Sequence, residues 1–185
     1  MDKFITWLNA SAELYFPNIG LEEIDVDPQL EALFLALGSA SSEVEAAPIE
    51  SMIWSIWSKS GDKQVDKLME RGNLALRQEN LLDAFSFFDA VVEILPDFAE
   101  GWNQRATVNY LLGDFDSSIS DVERTLSLEP RHFGALSGLG MIALTLGQDE
   151  QALEAFEAAL DIHPHLSGAI SHIKKLREKV RGLGS

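Results

Sequence analysis

Apolar and polar residues follow the spacing of amphipathic helices over most of the chain, and from about residue 65 onward the pattern repeats. Pro96, Pro130 and Pro164 are each separated by 34 residues, which sets a fixed period. In that frame, residues of similar size align where two helices of a pair would touch. These columns are Leu68, Trp102 and Leu136; Gly72, Ala106 and Gly140; Ala84, Ser118 and Ala152; and Phe88, Val122 and Phe156. The pattern predicts three units, each made of two antiparallel helices.

The residues in these columns have physical roles in such a unit. Small residues let two helix backbones approach, and Phe88 and Phe156 are expected to fill the space between neighbouring units. A proline ends each second helix because it lacks the N–H and the free φ angle that a helix needs. Gly113 and Gly147 supply the backbone freedom of a tight turn. No unit buries its apolar face alone, so stability comes from stacking of neighbours.

The segments on either side of the repeats are predicted to form further helices. Residues 28–60 are expected to be a degenerate helical pair that stacks on the first repeat as an N-terminal cap, with Trp54 and Trp57 buried at the junction. The competing interpretation of these tryptophans is an aromatic recognition patch. Beyond Pro164, apolar residues at helical spacing predict a capping helix with one apolar face and one basic, solvated face.

Four regions follow from these patterns. They are an N-terminal extension at 1–27 with a short helix and an acidic linker, the helical pair at 28–60, the repeats at 61–164, and the C-terminal cap and tail at 165–185. The three repeats are expected at about 65–98, 99–132 and 133–164. We expect the extension to pack on its own scaffold; the alternatives are that it occupies the groove of its own or a sister chain, or that it docks on a partner protein.

The period and the columns resemble the tetratricopeptide repeat (TPR), with its W-x2-L-G-x2-Y…A-x3-F…P signature, over residues 65–164. The segments AEGWNQRA at 99–106 and PRHFGALSG at 130–138 also resemble small TPR proteins of alphaproteobacteria, a likeness that implies no activity. The resemblance implies an all-α fold, a right-handed superhelix (an α-solenoid) of antiparallel helix pairs with terminal capping helices.

Charge and composition narrow the classes of partner. The chain has 14 Lys plus Arg and 30 Asp plus Glu, a formal net charge of −16, which argues against nucleic acid and favours a basic protein partner. No stretch is long and apolar enough to suggest membrane insertion. The first residues lack an export signal, so a cytoplasmic location is expected; removal of such a signal would make periplasm or organelle the alternative.

The sequence offers no pattern typical of catalysis or metal binding. There is no cysteine, no phosphate-binding glycine loop and no G-x-S-x-G turn. His165 and His172 are seven residues apart, a separation of about 10 Å along a helix that is too long for one zinc ion. We therefore expect no enzyme activity, no cofactor and no metal.

The TPR resemblance implies a concave groove, lined by the first helix of each repeat, that binds peptides or partner helices. The residues expected on the groove face are Met69, Asn73 and Arg77 from the first repeat, Asn103, Gln104, Thr107 and Tyr110 from the second, and Gly134, Ser137, Gly138 and Met141 from the third. Amide and hydroxyl groups in this set could bond a peptide backbone, or could be ordinary solvated helix residues.

Gly134 and Gly138 are one helical turn apart on this face. Glycine inside a helix costs about 0.8–1.0 kcal/mol relative to alanine, so the pair suggests a place where a partner helix approaches closely. The other interpretation is that Gly134 belongs to the helix start and Gly138 packs on its own second helix.

TPR domains that bind the C-terminal tails of Hsp70 and Hsp90 use a Lys/Asn/Lys/Arg set of side chains. Asn73 matches one of these positions, but Met69, Gly134 and Gly138 stand where three cations would be. A chaperone-tail clamp of that kind is therefore not expected.

The sequence predicts a non-catalytic protein–protein interaction module, a scaffold or assembly adaptor that binds a peptide or helix in the groove. The alternative is a structural, self-assembling (homo-oligomeric) module that uses its N-terminal segment or its cap helix.

Overall fold

The computed structural model describes residues 27–182, which form nine α-helices and no strand. The helices are α1 Pro28–Ser39, α2 Glu43–Trp57, α3 Lys63–Arg77, α4 Leu81–Ile94, α5 Ala99–Leu112, α6 Phe115–Leu128, α7 Phe133–Thr145, α8 Asp149–Ile162 and α9 Ser167–Gly182. The prediction of an all-α solenoid of helix pairs is confirmed. The predicted short helix and acidic linker in the extension lie outside the described residues.

Short polar side chains set where several helices begin. Asp27, Ser42, Asp62, Asn80 and Asp114 each accept a hydrogen bond from a backbone N–H in the first turn that would otherwise have no partner.

The turns inside the repeats use a left-handed backbone conformation at one position. Gly113 and Gly147 have φ angles of 80° and 72°, as expected for these turns. Glu79 takes the same place in the first repeat with a φ of 59°, although it is not a glycine. All three repeats therefore have the same turn geometry, and in the first repeat this geometry places backbone strain on Glu79.

The three helix pairs α3/α4, α5/α6 and α7/α8 pack side by side, and α9 closes the last pair. Within a pair, a glycine on the first helix receives a phenyl ring from the second. A methyl group on Gly72 would lie 2.5 Å from Phe88 Cε1, and one on Gly140 would lie 2.7 Å from Phe156 Cε1. We expected these rings between neighbouring repeats, but each lies between the two helices of its own pair. Phe156 also stacks on His172 of α9, outside its pair.

Arg105 joins the first two repeats through an ion-pair network. Its guanidinium donates to both oxygens of Asp121 at 2.6 and 2.9 Å, and to Asp89 of the first repeat at 2.6 Å. Asn109 donates to the same Asp121 carboxylate at 3.0 Å. The hydrogen bonds that Arg105 donates to Asp121 and, less strongly, to Asp89 raise the pKa of Arg105 above its usual value, while burial opposes this shift. Asn109 and Asp121 both stand where the other repeats have apolar residues, and they are paired with each other.

The N-terminal helical pair is displaced from its expected position. Sequence analysis places it against the first repeat, but the apolar face of α1 and α2 shares one core with α7: Leu33, Leu37 and Trp57 pack in the same cluster as Phe133 and Leu136. The first repeat has a separate core of its own, which includes Met69 and Phe88. The third repeat offers a glycine gap and flat rings that fit the tryptophans of α2, and this complementarity explains the position.

The helices are all short. Within residues 27–182, no helix is long and apolar enough to cross a membrane. Pro48 lies inside α2 without ending it.

Two glycines of α7 provide a matched test of this packing. Gly140→Ala should lower the free energy of unfolding by about 1–3 kcal/mol, because the new methyl group would collide with the buried Phe156 ring. Gly138→Ala should instead raise it by up to about 1 kcal/mol, because nothing lies within 4 Å of the new group and alanine favours the helix. Urea unfolding followed by circular dichroism measures both; shifts of the same sign would contradict the packing described.

Candidate partner-binding groove

A pocket of about 180 Å³ lies between the second and third repeats, where α5 and α6 face α7. Its lining residues are Asn103, Ala106, Thr107, Tyr110, Ser118, Val122, Gly134, Gly138, Met141 and Ile142. Six of the eleven residues that the sequence places on the groove face belong to this lining: Asn103, Thr107, Tyr110, Gly134, Gly138 and Met141. The lining is mostly apolar, with a few amide and hydroxyl groups.

The two glycines of α7 have different surroundings. A methyl group on Gly138 would meet nothing within 4 Å, so the backbone there is open to the pocket. A methyl group on Gly134 would lie 2.6 Å from Cη2 of Trp54, so that position is already covered by α2. The close approach that the sequence suggests for a partner helix is made at Gly134 by the chain itself.

A hydrogen bond crosses the groove between repeats. Tyr110 Oη of α5 and Thr145 Oγ1 of α7 are 3.1 Å apart. Because the Thr145 hydroxyl donates to the backbone oxygen of Met141, the tyrosine hydroxyl is the donor in this contact. Thr107 uses its own hydroxyl to donate to the backbone oxygen of Asn103. All three hydroxyl groups therefore make hydrogen bonds before any ligand is present.

A buried carboxylate organises the polar side of the groove. Glu100 is only 3% exposed. It accepts from the side-chain amides of Asn103 at 3.0 Å and Gln104 at 2.6 Å, and it lies 3.1 Å from Nε2 of His132. The Nδ1 atom of His132 accepts the backbone N–H of Ala135, which caps α7. The proton of this imidazole is therefore on Nε2, which donates to Glu100.

This cluster changes the interpretation of the predicted amides. Asn103 and Gln104 are engaged with Glu100 rather than free for a peptide, although each amide has a second hydrogen to donate. Sequence analysis did not identify His132 as part of the site. A signal existed: it stands at the start of α7, where a serine, threonine or aspartate is the usual cap.

The remaining predicted residues lie apart from the pocket. Met69 is buried in the core of the first repeat and is not accessible to a ligand. Asn73 is half-buried and Arg77 is exposed, both on α3. Ser137 lies on α7, and its Oγ atom is buried without a hydrogen-bond partner in the described part of the chain. The structure thus brings together the second- and third-repeat residues but not those of the first.

The tryptophans of α2 pack at the third-repeat side of the groove. The indole of Trp57 stacks on His132, with ring centroids 4.2 Å apart and planes inclined by 7°. Trp54 meets Phe133 edge to face at 5.4 Å. Both tryptophans lie at a junction, as predicted, but at the third repeat instead of the first.

Three ionic or polar contacts reinforce this docking. Glu50 Oε2 of α2 lies 3.2 Å from Nε2 of His163, the residue that ends α8. His165 Nε2 donates to the backbone oxygen of Ala40 at 2.8 Å. Arg131 pairs with Glu31 of α1 at 2.6 Å. His163, which the sequence does not single out as a contact to another region, therefore helps to hold the N-terminal pair.

Within the described residues, no group of three His, Cys, Asp or Glu side chains is placed to hold a metal ion. The Glu100–His132 pair uses its atoms for helix capping and for bonds between repeats. Its role is structural in the geometry observed.

The buried carboxylate can be tested by truncation. Glu100→Ala should lower the free energy of unfolding by about 2 kcal/mol, because it leaves the amides of Asn103 and Gln104 and the imidazole N–H without their buried acceptor. Glu93→Ala, at an exposed acid at the end of α4, should stay within about 0.5 kcal/mol of the parent. Chemical denaturation measures both changes; equal effects of the two substitutions would refute the structural role.

Comparison with known proteins agrees with this architecture. A tetratricopeptide repeat family model matches residues 104–167. A TPR repeat-containing protein of Rhizobium etli is 37% identical over 154 residues, covering 83% of this chain and 76% of that protein. The small glutamine-rich tetratricopeptide repeat-containing protein 2 of Saccharomyces cerevisiae is 29% identical over 99 residues, 54% of this chain and 29% of its own length.

A solved structure shows the same fold. The first TPR domain of Spaghetti (RPAP3), bound to the HSP90 peptide SRMEEVD, superposes with a TM-score of 0.61 at 22% identity, over 65% of this chain and 96% of that domain. The period, the helix pairs and the Rhizobium relative lead to one conclusion. The chain belongs to the tetratricopeptide repeat family.

Proposed function

We propose that this chain is a non-catalytic protein-interaction module, a scaffold or assembly adaptor that holds a peptide or helix of a partner in the groove between its second and third repeats. The observation that carries this proposal is the pocket over Gly138. Small-molecule sites usually enclose about 300–1,000 Å³, so a pocket of about 180 Å³ suits an apolar side chain of a partner better than a cofactor.

The surroundings of the pocket suit an amphipathic ligand. Its walls are apolar, while Asn103, Thr107 and Tyr110 place polar groups in the lining. The absence of a side chain at Gly138 lets a ligand backbone come close to α7. A partner that inserts one apolar side chain and keeps polar groups at the edge would satisfy both features.

The charge of the groove favours a basic partner. The described partners of Glu100 are the side-chain amides of Asn103 and Gln104 and the imidazole of His132, so no lysine or arginine is among them. The chain as a whole carries a formal net charge of −16. Opposite charge on a partner would speed association and improve specificity.

The same charge argues against an acidic chaperone tail. The RPAP3 domain is bound to an HSP90 peptide that ends in acidic residues, which supports peptide binding by this fold in general. In this chain, however, Met69, Gly134 and Gly138 stand where the clamp would need cations. The proposed partner therefore differs from those tails in charge.

Blocking the pocket tests the proposal. Peptides are selected from a displayed random library on the immobilised full chain, and their affinity is measured for two variants. Gly138→Leu fills the pocket and should weaken binding by about 100-fold or more, comparable to the loss of one buried anchor side chain. Gly168→Leu adds the same side chain to an open, exposed position of α9 and should leave affinity unchanged.

The stability of both variants is checked by thermal unfolding, so that loss of folding is separated from loss of binding. Selected peptides that bind Gly138→Leu as well as the parent would refute the pocket as the binding site. Self-assembly through the N-terminal segment stays a prediction, because residues 1–26 lie outside the described part of the chain. Light scattering on the full chain and on a chain that starts at Asp27 tests it: dissociation on truncation would support self-assembly.

A further inference from the structure

The α2 helix occupies part of the groove that a partner would use. Gly134 is the shared residue: it lines the pocket, and Trp54 covers it so closely that a side chain there would force the indole to shift. Next to it, Trp57 stacks on His132, the residue that begins α7 and bonds to Glu100. The chain therefore places a helix of its own beside the open pocket over Gly138.

The contact side chains of α2 follow the spacing of a helix that is bound in a groove. Glu50, Trp54 and Trp57 are at positions i, i+4 and i+7, so they project from one face of the helix. The acid meets His163, and the two indoles share the rings of Phe133 and His132. Trp54 also covers Gly134.

This docking leaves polar atoms unsatisfied. Among the described residues, three buried side-chain atoms have no hydrogen-bond partner: Trp57 Nε1, Ser137 Oγ and His163 Nδ1. Trp57 and His163 are contact residues of the α2 docking, and Ser137 lies on α7 between the two glycines of the groove. The unpaired atoms of Trp57 and His163, which belong to the contact itself, disfavour the docked state. The aromatic rings therefore pack closely in this contact, while some of its buried polar atoms have no hydrogen-bond partner.

The connection to the rest of the chain permits release. The segment 58–62 joins α2 to α3; it is largely exposed and includes Gly61, which has a φ of 78°. The N-terminal pair docks on the third repeat, although its neighbour along the chain is the first repeat. It is thus a tethered element whose docking depends on side-chain contacts with a distant part of the chain.

We propose that the α1–α2 pair is a built-in competitor for the groove, and that the partner is a helix with two aromatic side chains three residues apart, which takes the places of Trp54 and Trp57. This inference rests on the proposed function and narrows its ligand. The partner displaces α2 from Gly134 and His132, and the pocket over Gly138 receives a further apolar side chain of the same ligand.

The test uses a fluorescent synthetic peptide of residues 28–60 as the probe and the full chain as the receptor. Trp54→Ala/Trp57→Ala weakens the competitor within the chain, so the probe should bind this variant about tenfold or more tightly than the parent, as expected when an occupied site is freed. Adding Gly134→Leu to the double variant should abolish the gain, whereas adding Gly168→Leu should not. No gain in the double variant, or a gain that Gly134→Leu leaves intact, would overturn the proposal.

A second measurement does not depend on the double variant. A protease recognition sequence is inserted after Gly61, and the folded chain is cut there. The N-terminal fragment should co-elute with the repeats and exchange for added labelled peptide; in the same chain with Gly134→Leu it should separate. A cut fragment that leaves the parent repeats without exchange, or stays equally bound with Gly134→Leu, would refute docking at this site.

The two proposals fail in different ways. Library-selected peptides should compete with the 28–60 probe for the Trp54→Ala/Trp57→Ala variant. If the selected peptides are sensitive to Gly138→Leu but do not compete with the probe, the competitor proposal is wrong and the proposed function stands. If the selected peptides are insensitive to Gly138→Leu, the proposed function is itself wrong.

Discussion

The structure depends on one constraint: each helix pair leaves an apolar face that only another helix can cover. Inside a pair, contact is made possible by removing a side chain, as at Gly72 and Gly140, so that a phenyl ring from the facing helix occupies the space. Between pairs, stacking buries the faces that remain. The C-terminal face is covered by α9. At the N-terminal end the chain follows a different course, because its first helical pair is docked on the third repeat.

The same steric principle operates inside and outside the repeats. Gly140 receives Phe156 from within its own pair, while Gly134, less than two turns earlier on α7, receives Trp54 from outside the repeats. These two glycines of α7 therefore differ in role. Gly140 allows packing within the repeat, and Gly134 allows α2 to dock in the groove. Gly138 lies between them with nothing against it. Along the groove face of α7, the position at Gly134 is therefore occupied by α2, whereas the position at Gly138 is vacant.

The repeats could be predicted from the sequence because their determinants are local or periodic. The 34-residue spacing of prolines, the size of residues in each column and the turn glycines all act within one pair or between neighbours. The position of α1–α2 could not be predicted in this way, since the contact of Trp54 with Gly134 joins residues that are far apart along the chain. The Glu100–His132 contact was missed for a related reason: it joins residues of two repeats, and its histidine stands in a column that holds Phe98 and Leu166 in the other repeats. Periodicity identifies what the repeats share, whereas the groove is built from where they differ.

Partial occupancy has a consequence for how a partner could enter. A helix tethered by a short exposed linker acts at an effective concentration on the order of millimolar, so a ligand that needed the whole groove at once would compete poorly. The pocket over Gly138 is open while Trp54 is docked at Gly134, which provides a first contact that requires no displacement. From there the next turn of a bound helix would reach Gly134, and the unpaired Nε1 of Trp57 and Nδ1 of His163 would gain hydrogen bonds as α2 is released. If binding follows these two steps, the displacement of α2 sets the selectivity. Many ligands can fill an apolar pocket, but few can replace two packed indoles.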